Sequence, residues 1–312
     1  MEGIKLSKRE LNNLNIINSS GIEANISRYC ETKNKQFIRN YNLLKGKIIK
    51  SYKENGMVKK VLTESEYNGY LDNKHQKVLA YSRMEPNNFK ILNIPLGPIY
   101  LNKHFLAFYQ SEIQPSTTLN NKCYDTHSKD YTNLDFITDV TFQMQQGVKE
   151  ELHPNGIYTD DFQIGNILVD SNNNIHFIDA DSYRVNNHLE TSYYYRRFYF
   201  EDTCYESLKE NSKYLEDGFI YSSPQLDIFC IYANFIELVC KRDIFSLSEQ
   251  SIYSLLEFAN FPNEFLDCFS KCLLEDEDND FIPTDVLDKI KTDYTIDIKN
   301  NLFSYYGKLK RK

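Results

Sequence analysis

Tryptophan is absent from this chain. So are a C-x-x-C pair, a surplus of positive charge and an apolar run long enough to cross a bilayer. Each absence removes a class of function. The seven cysteines (Cys30, Cys123, Cys204, Cys230, Cys240, Cys268 and Cys272) are scattered and odd in number. Cys268 and Cys272 are four apart on an expected helix, with no second ligand pair nearby. That favours a buried apolar role over zinc. The pattern fits a reducing cytoplasm, and a cytoplasmic location is expected. Lys and Arg number 36 against 44 Asp and Glu, a net charge of −8. This argues against nucleic acid as the main partner, because phosphate binding needs clustered cations. The basic tail Lys308–Lys312 reads as solvated. The longest apolar run, Leu226 to Cys240, carries Asp227, Asn234 and Glu237 and is too short for a membrane span. No basic start leads into an apolar stretch, so no signal peptide is expected. The acidic loop Glu275–Asp280 lacks the turn glycine and the closing glutamate of a calcium loop. Asn, Lys, Ile and Tyr are used heavily, which is consistent with AT-rich coding, so tyrosine-rich segments carry little functional weight.

Hydrophobic residues make up 41% of the 312 residues, enough for a sizeable core and for one large domain or two lobes. The chain is organised around Asp161 to Asp179. Asp161 is followed five positions later by Asn166 and then by the short apolar run Ile167-Leu168-Val169. A polar turn (Ser171 to Asn174), a second apolar run (Ile175 to Ile178) and Asp179 complete it. Apolar runs flanking a Ser/Asn turn predict a β-hairpin. The hairpin sets Asn166 at one mouth and returns Asp179 beside it, with Asp161 as a free carboxylate. Hard oxygen donors of this kind suit Mg²⁺, which takes one or two protein ligands together with phosphate oxygens. A nearby carboxylate suits orienting a hydroxyl and accepting its proton.

This pattern resembles the catalytic core of the protein kinase superfamily: a D-x-x-x-x-N loop, a hairpin, and the metal-binding Asp of D-F-G. Ile178-Asp179-Ala180-Asp181-Ser182 is similar to the I-D-x-D-S of divergent bacterial kinase-like proteins. The resemblance spans about residues 19 to 292. It implies an α+β, bilobal protein-kinase-like fold with a small antiparallel β-rich N-lobe and a mainly helical C-lobe. The implied domains are an N-terminal extension (1–18), an N-lobe (19–112), a C-lobe (113–292) and a C-terminal segment with the basic tail (293–312). It implies ATP and Mg²⁺ as cofactors, Asp161 as catalytic base, and Asn166 and Asp179 as metal ligands.

In the N-lobe, Ser20 and Gly21 lie in a stretch that resembles the kinase glycine-rich loop, whose backbone N–H groups cover nucleotide phosphates. Only one glycine is present there. Arg39 or Lys50 stands for the phosphate-binding lysine; Arg39 keeps the charge but offers a planar fork. Tyr70 to Arg83 reads as a helix without an internal Glu, so the family's Lys–Glu pair is altered. Asn93–Tyr100 and His104–Gln110 read as paired strands, followed by a hinge at Tyr109 to Glu112.

In the C-lobe, Phe136 to Leu152 is helical by period, with Ile137, Val140, Met144, Val148 and Leu152 on one face. The family's H-R-D is Thr159-Asp160-Asp161 here, so control through a basic residue at that point is not expected. The segment Asp179 to Pro224 holds eight tyrosines, including those in Tyr193–Phe200. It reads as an aromatic insert packed on the large lobe in preference to an autophosphorylation platform. Ser223-Pro224 opens a buried central helix that carries Asp227. Gln225 and Ile282 occupy the two positions of a family ion pair, and both charges are missing together. This is coherent, since one charge alone would be stranded at a cost of about 3–5 kcal/mol. The expectation is a phosphotransferase acting on protein Ser, Thr or Tyr hydroxyls. A small-molecule kinase and a pseudokinase scaffold are the alternatives. Its partners are then a nucleotide and a protein or small-molecule hydroxyl acceptor, with no membrane span.

Overall fold

The computed structural model describes residues 4–6, 53–54, 57–61, 71–101, 104–113, 116–124, 133–159, 162–186, 215–216, 219–220, 223–241, 249–273 and 280–292. In chain order the elements are β1 (Ile4–Leu6), β2 (Lys53–Glu54), β3 (Met57–Val61), α1 (Leu71–Tyr81), β4 (Pro95–Leu101) and β5 (His104–Ser111). Next come β6 (Ser116–Thr118), α2 (Leu119–Tyr124), α3 (Leu134–Gln146), β7 (Ile157–Tyr158), β8 (Ile167–Asp170), β9 (Ile175–Phe177) and β10 (Arg184–Val185). The last are β11 (Leu215–Glu216), β12 (Phe219–Ile220), α4 (Pro224–Cys240), α5 (Glu249–Phe258), α6 (Asn263–Leu273) and α7 (Thr284–Thr292). The protein is thus mixed α and β, with small, mostly antiparallel sheets and several helices. Among the described residues no helix is long and apolar enough to cross a membrane.

The chain divides into two compact units, Met1–Gln114 with Ile178–Thr191, and Pro115–Phe177 with Ser192–Lys312. The first unit holds a five-stranded sheet in the order β1-β4-β5-β3-β2. The hairpin β4–β5 closes at Leu101↔His104, where the strand–turn–strand pattern places it. β5 pairs antiparallel with β3 from Val61↔Ala107 to Met57↔Ser111. β1 pairs parallel with β4 (Ile4↔Ile99), although the sequence places it in an extension outside the lobe. Three residues carry too little periodicity to announce a strand; the non-local ladder on β4 makes it one. Helix α1 follows the expected 70–83 closely. It packs against β4, with His75 Nε2 2.7 Å from the Tyr100 hydroxyl. Its buried face is Lys77, Val78 and Tyr81.

In the second unit, α4 is the buried axis. From Leu226 to Cys240 every residue except Glu237 is buried, as its nearly all-round apolar pattern requires. Ser223 caps it, accepting from Leu226 N at 3.2 Å, with Pro224 in the first turn. Helices α3 and α6 pack against α4, and α7 packs against α3. Rings fill the α4 and α6 side: Phe235 lies 5.4 Å from Phe265, and Tyr232 lies 5.6 Å from the same ring.

Helix α3 shows the expected face, with Ile137, Val140, Met144, Val148 and Leu152 all buried. The sequence does not announce that Gly147–Leu152 continues as a π-helix, in which His153 N reaches Val148 O. The spacing explains it. Val140, Met144, Val148 and Leu152 recur every four residues, which overshoots an α-helical turn by about 40° each time. The wider π turn absorbs that drift and keeps Val148 and Leu152 inward. The helix then stops at Pro154 and at Gly156, whose φ of 65° is left-handed.

Candidate functional site

Two stretches carry the described residues assigned from the sequence, one in each unit, and each is taken within its own unit. In the second unit, the loop before the hairpin is fastened to α4 on both sides of Asp160-Asp161. Upstream, Thr159 is fully buried and donates its backbone N–H to Asp227 Oδ1 at 3.0 Å. The Thr159 hydroxyl donates to the same oxygen. His153 Nε2 stands 3.1 Å from Asp227 Oδ2. Asp227 is itself fully buried, and these groups are what make a carboxylate tolerable there. Downstream, Asn234 Nδ2 donates to Phe162 O at 3.0 Å. The Phe162 ring sits edge-on to Phe177, with centroids 5.0 Å apart. Asp227 and Asn234 are seven residues apart, two helical turns, so one face of α4 holds both ends of the loop. Asp160 and Asp161 lie outside the described residues.

Beyond Phe162 the chain makes a short 3-10 turn, Ile164–Asn166, closed by Asn166 N donating to Gln163 O at 2.9 Å. Asn166 is half-buried and directly precedes β8. β8 and β9 form the expected hairpin in the register Ile167↔Phe177, Leu168↔His176 and Val169↔Ile175. The alternation is clean, with Ile167, Val169, Ile175 and Phe177 buried. The turn is organised by Asp170, whose Oδ1 accepts from Asn172 N at 2.8 Å and from Asn174 N at 2.9 Å. Asn173 takes a φ of 64°, a conformation Asn adopts more readily than most residues. Partial burial alone would raise the Asp170 carboxyl. The Asn174 side chain, the backbone N–H groups of Asn174 and Asn172, and His176 outweigh that and hold it below its ordinary value.

In the first unit, Asp179 has a φ of 60°, a left-handed backbone that a non-glycine residue adopts only when its surroundings impose it. Its carbonyl accepts from Ser182 N at 2.9 Å and from Ser182 Oγ at 2.8 Å, closing a turn. Tyr183 N closes an overlapping turn on Ala180 O at 3.1 Å. Helix α1 grips this segment from behind. Lys77, fully buried, donates to Ser182 O and Tyr183 O, each at 2.9 Å. Tyr81 donates its hydroxyl to Ala180 O at 2.9 Å. Burial, then Tyr183 and Asp181, push the Tyr81 phenol well above its ordinary value, so it stays a donor.

Of the residues assigned from the sequence, Asn166 and Asp179 are described, each half-buried at the end of a hydrogen-bonded turn. Asp161, Ser20, Gly21, Arg39 and Lys50 lie outside the described residues, as do Tyr193–Phe200. Asn166 and Asp179 offer an amide and a carboxylate oxygen, the hard donors that Mg²⁺ takes. Among the described residues no group of three or more His, Cys, Asp or Glu is placed to hold a metal.

The sequence reading did not single out Lys77, Tyr81, Asn234 or Gln145 for these roles. Gln145 is buried on α3 and bonds the backbone of Ile282 twice, donating to its O at 3.1 Å and accepting from its N at 2.6 Å. The expected loss of an ion pair through Gln225 and Ile282 thus accompanies a neutral anchor made elsewhere. No protein-family model matches the chain, and none of the curated proteins compared with it does.

Proposed function

We propose that this chain is an ATP- and Mg²⁺-dependent phosphotransferase of protein-kinase-like, bilobal fold, acting on protein hydroxyls. The observation that carries the reading is the double fastening of the Asp160-Asp161 loop, Thr159 to Asp227 and Phe162 to Asn234. A loop pinned at both ends to a buried helix is what positional catalysis needs, because misplacing a reacting group by an ångström is expensive in rate. A second support is the strained, half-buried Asp179 on its turn.

In this reading Asp161 orients the acceptor hydroxyl and takes its proton. Asn166 and Asp179 supply oxygen ligands. Mg²⁺ neutralises the developing charge on the transferred phosphoryl group when it is bound. Ser20 and Gly21, with Arg39 or Lys50, are assigned the nucleotide phosphates.

One observation favours a second reading, nucleotide binding without transfer. Helix α1 contains no Glu and buries Lys77 on its inner face, so it offers no Glu to pair with a phosphate-binding cation. Transfer of labelled γ-phosphate from Mg-ATP separates the two. Label on the native chain, and none on Asp161→Asn or Asp179→Asn, supports the phosphotransferase. Mg-dependent ATP binding without label on the chain, on added protein substrates or on small alcohols supports the binding protein. Absence of ATP binding defeats both.

A further inference from the structure

We propose that Lys77 and Tyr81 are positioning residues for the Asp179 carboxylate, acting from α1 through the backbone of the turn that follows it. The inference rests on the metal-ligand reading of Asp179 given above.

Lys77 and Tyr81 are four residues apart on α1, so their side chains leave the same face. Three carbonyls within the four residues after Asp179 end on these two side chains: Ala180 on Tyr81, Ser182 and Tyr183 on Lys77. The Asp179 carbonyl is meanwhile occupied by Ser182 N and Oγ. The backbone on the C-terminal side of Asp179 is therefore held at nearly every acceptor. That is the condition under which a left-handed φ of 60° persists in a residue with a Cβ. Released, Asp179 relaxes toward negative φ and its carboxylate swings to a new direction.

The choice of a lysine is informative. An apolar residue would pack α1 against the segment without desolvating an ammonium, and commonly with equal or greater stability. A buried ammonium instead demands carbonyls at fixed positions, so it selects one backbone path. Its donations to Ser182 O and Tyr183 O fall on the main chain that follows Asp179.

The test is a Mg²⁺ titration of ATP binding with the native chain, Lys77→Met and Tyr81→Phe, paired with hydrogen exchange over residues 178–185. Each variant is expected to exchange faster in that segment. The Mg²⁺ concentration for half-maximal ATP binding should rise about tenfold in Lys77→Met and about threefold in Tyr81→Phe, following the loss of charged and neutral hydrogen bonds respectively. ATP binding measured without Mg²⁺ should not change. A native Mg²⁺ requirement in the variants, with or without faster exchange, overturns the inference and leaves the two residues purely structural. Tyr81→Phe removes a single oxygen and decides the matter if Lys77→Met does not fold. If the native chain shows no Mg-dependent ATP binding, the phosphotransferase reading itself has failed. That result appears before any variant is made, and the inference falls with it.

Discussion

Thr159 and Asp227, 68 residues apart, meet through two donors on one residue and one carboxylate on the other. Both side chains are shut away from solvent. The contact ties the entrance of the Asp160-Asp161 loop to the first turn of α4, and its energetics can be measured. Asp227→Asn keeps the shape but loses the charge, and it presents an amide to donors that need acceptors. It is expected to destabilise the protein by about 2–4 kcal/mol in urea unfolding. Thr159→Val removes the hydroxyl and is expected to cost about 1–2 kcal/mol. The double variant should fall well short of the sum, because the two residues share one interaction. Strict additivity would show that they are not coupled.

Gln145 gives a second, independent prediction. Its amide satisfies both backbone groups of the buried Ile282. Gln145→Leu preserves the volume and leaves an N–H and a carbonyl without these partners. A loss of about 2 kcal/mol is expected, with faster amide exchange at Ile282. Unchanged exchange at that amide would mean the anchor contributes nothing.

The third prediction concerns acid. Asp170 is held below the ordinary carboxylate value by the donors of its own turn. A folded-state value lower than the unfolded one stabilises the fold above the unfolded value. That contribution is lost as pH falls through the folded value. The stability gap between the native chain and Asp170→Asn should therefore be constant from neutral pH down to about pH 5 and shrink below about pH 4. Urea midpoints measured across that range check it. A gap that widens on acidification would reverse the assignment.

Legibility from sequence divides along contact range. The hairpin β8–β9 could be read because its signals are local: the apolar runs Ile167 to Val169 and Ile175 to Ile178 on either side of a run of Ser and Asn at the turn. Helix α4 could be read from Ser223-Pro224 and an apolar run, and α3 from its stripe. The anchors were not legible in the same way. Lys77 reaches Tyr183 across 106 positions, and Gln145 reaches Ile282 across 137. No local spacing encodes such a bond. Asn234 was visible only as an interruption of an apolar run, although its amide has a defined acceptor in Phe162. The π turn after Gly147 was encoded in the four-residue spacing of Val140, Met144, Val148 and Leu152, and that spacing also fits an ordinary helix over a short window.

The hydrogen bonds by which Lys77 and Tyr81 hold residues 180–183 end on the main-chain oxygens of Ala180, Ser182 and Tyr183. Every residue type at those positions presents the same oxygen. Ala180 and Ser182 can therefore be exchanged for other residues during divergence without breaking the bonds, provided the backbone path is kept. Lys77 and Tyr81 have no such freedom. Selection acting on these three bonds falls on the α1 side, because the acceptors at Ala180, Ser182 and Tyr183 are backbone atoms. Its signature among relatives would be a fixed Lys and Tyr four positions apart, facing a segment whose letters drift.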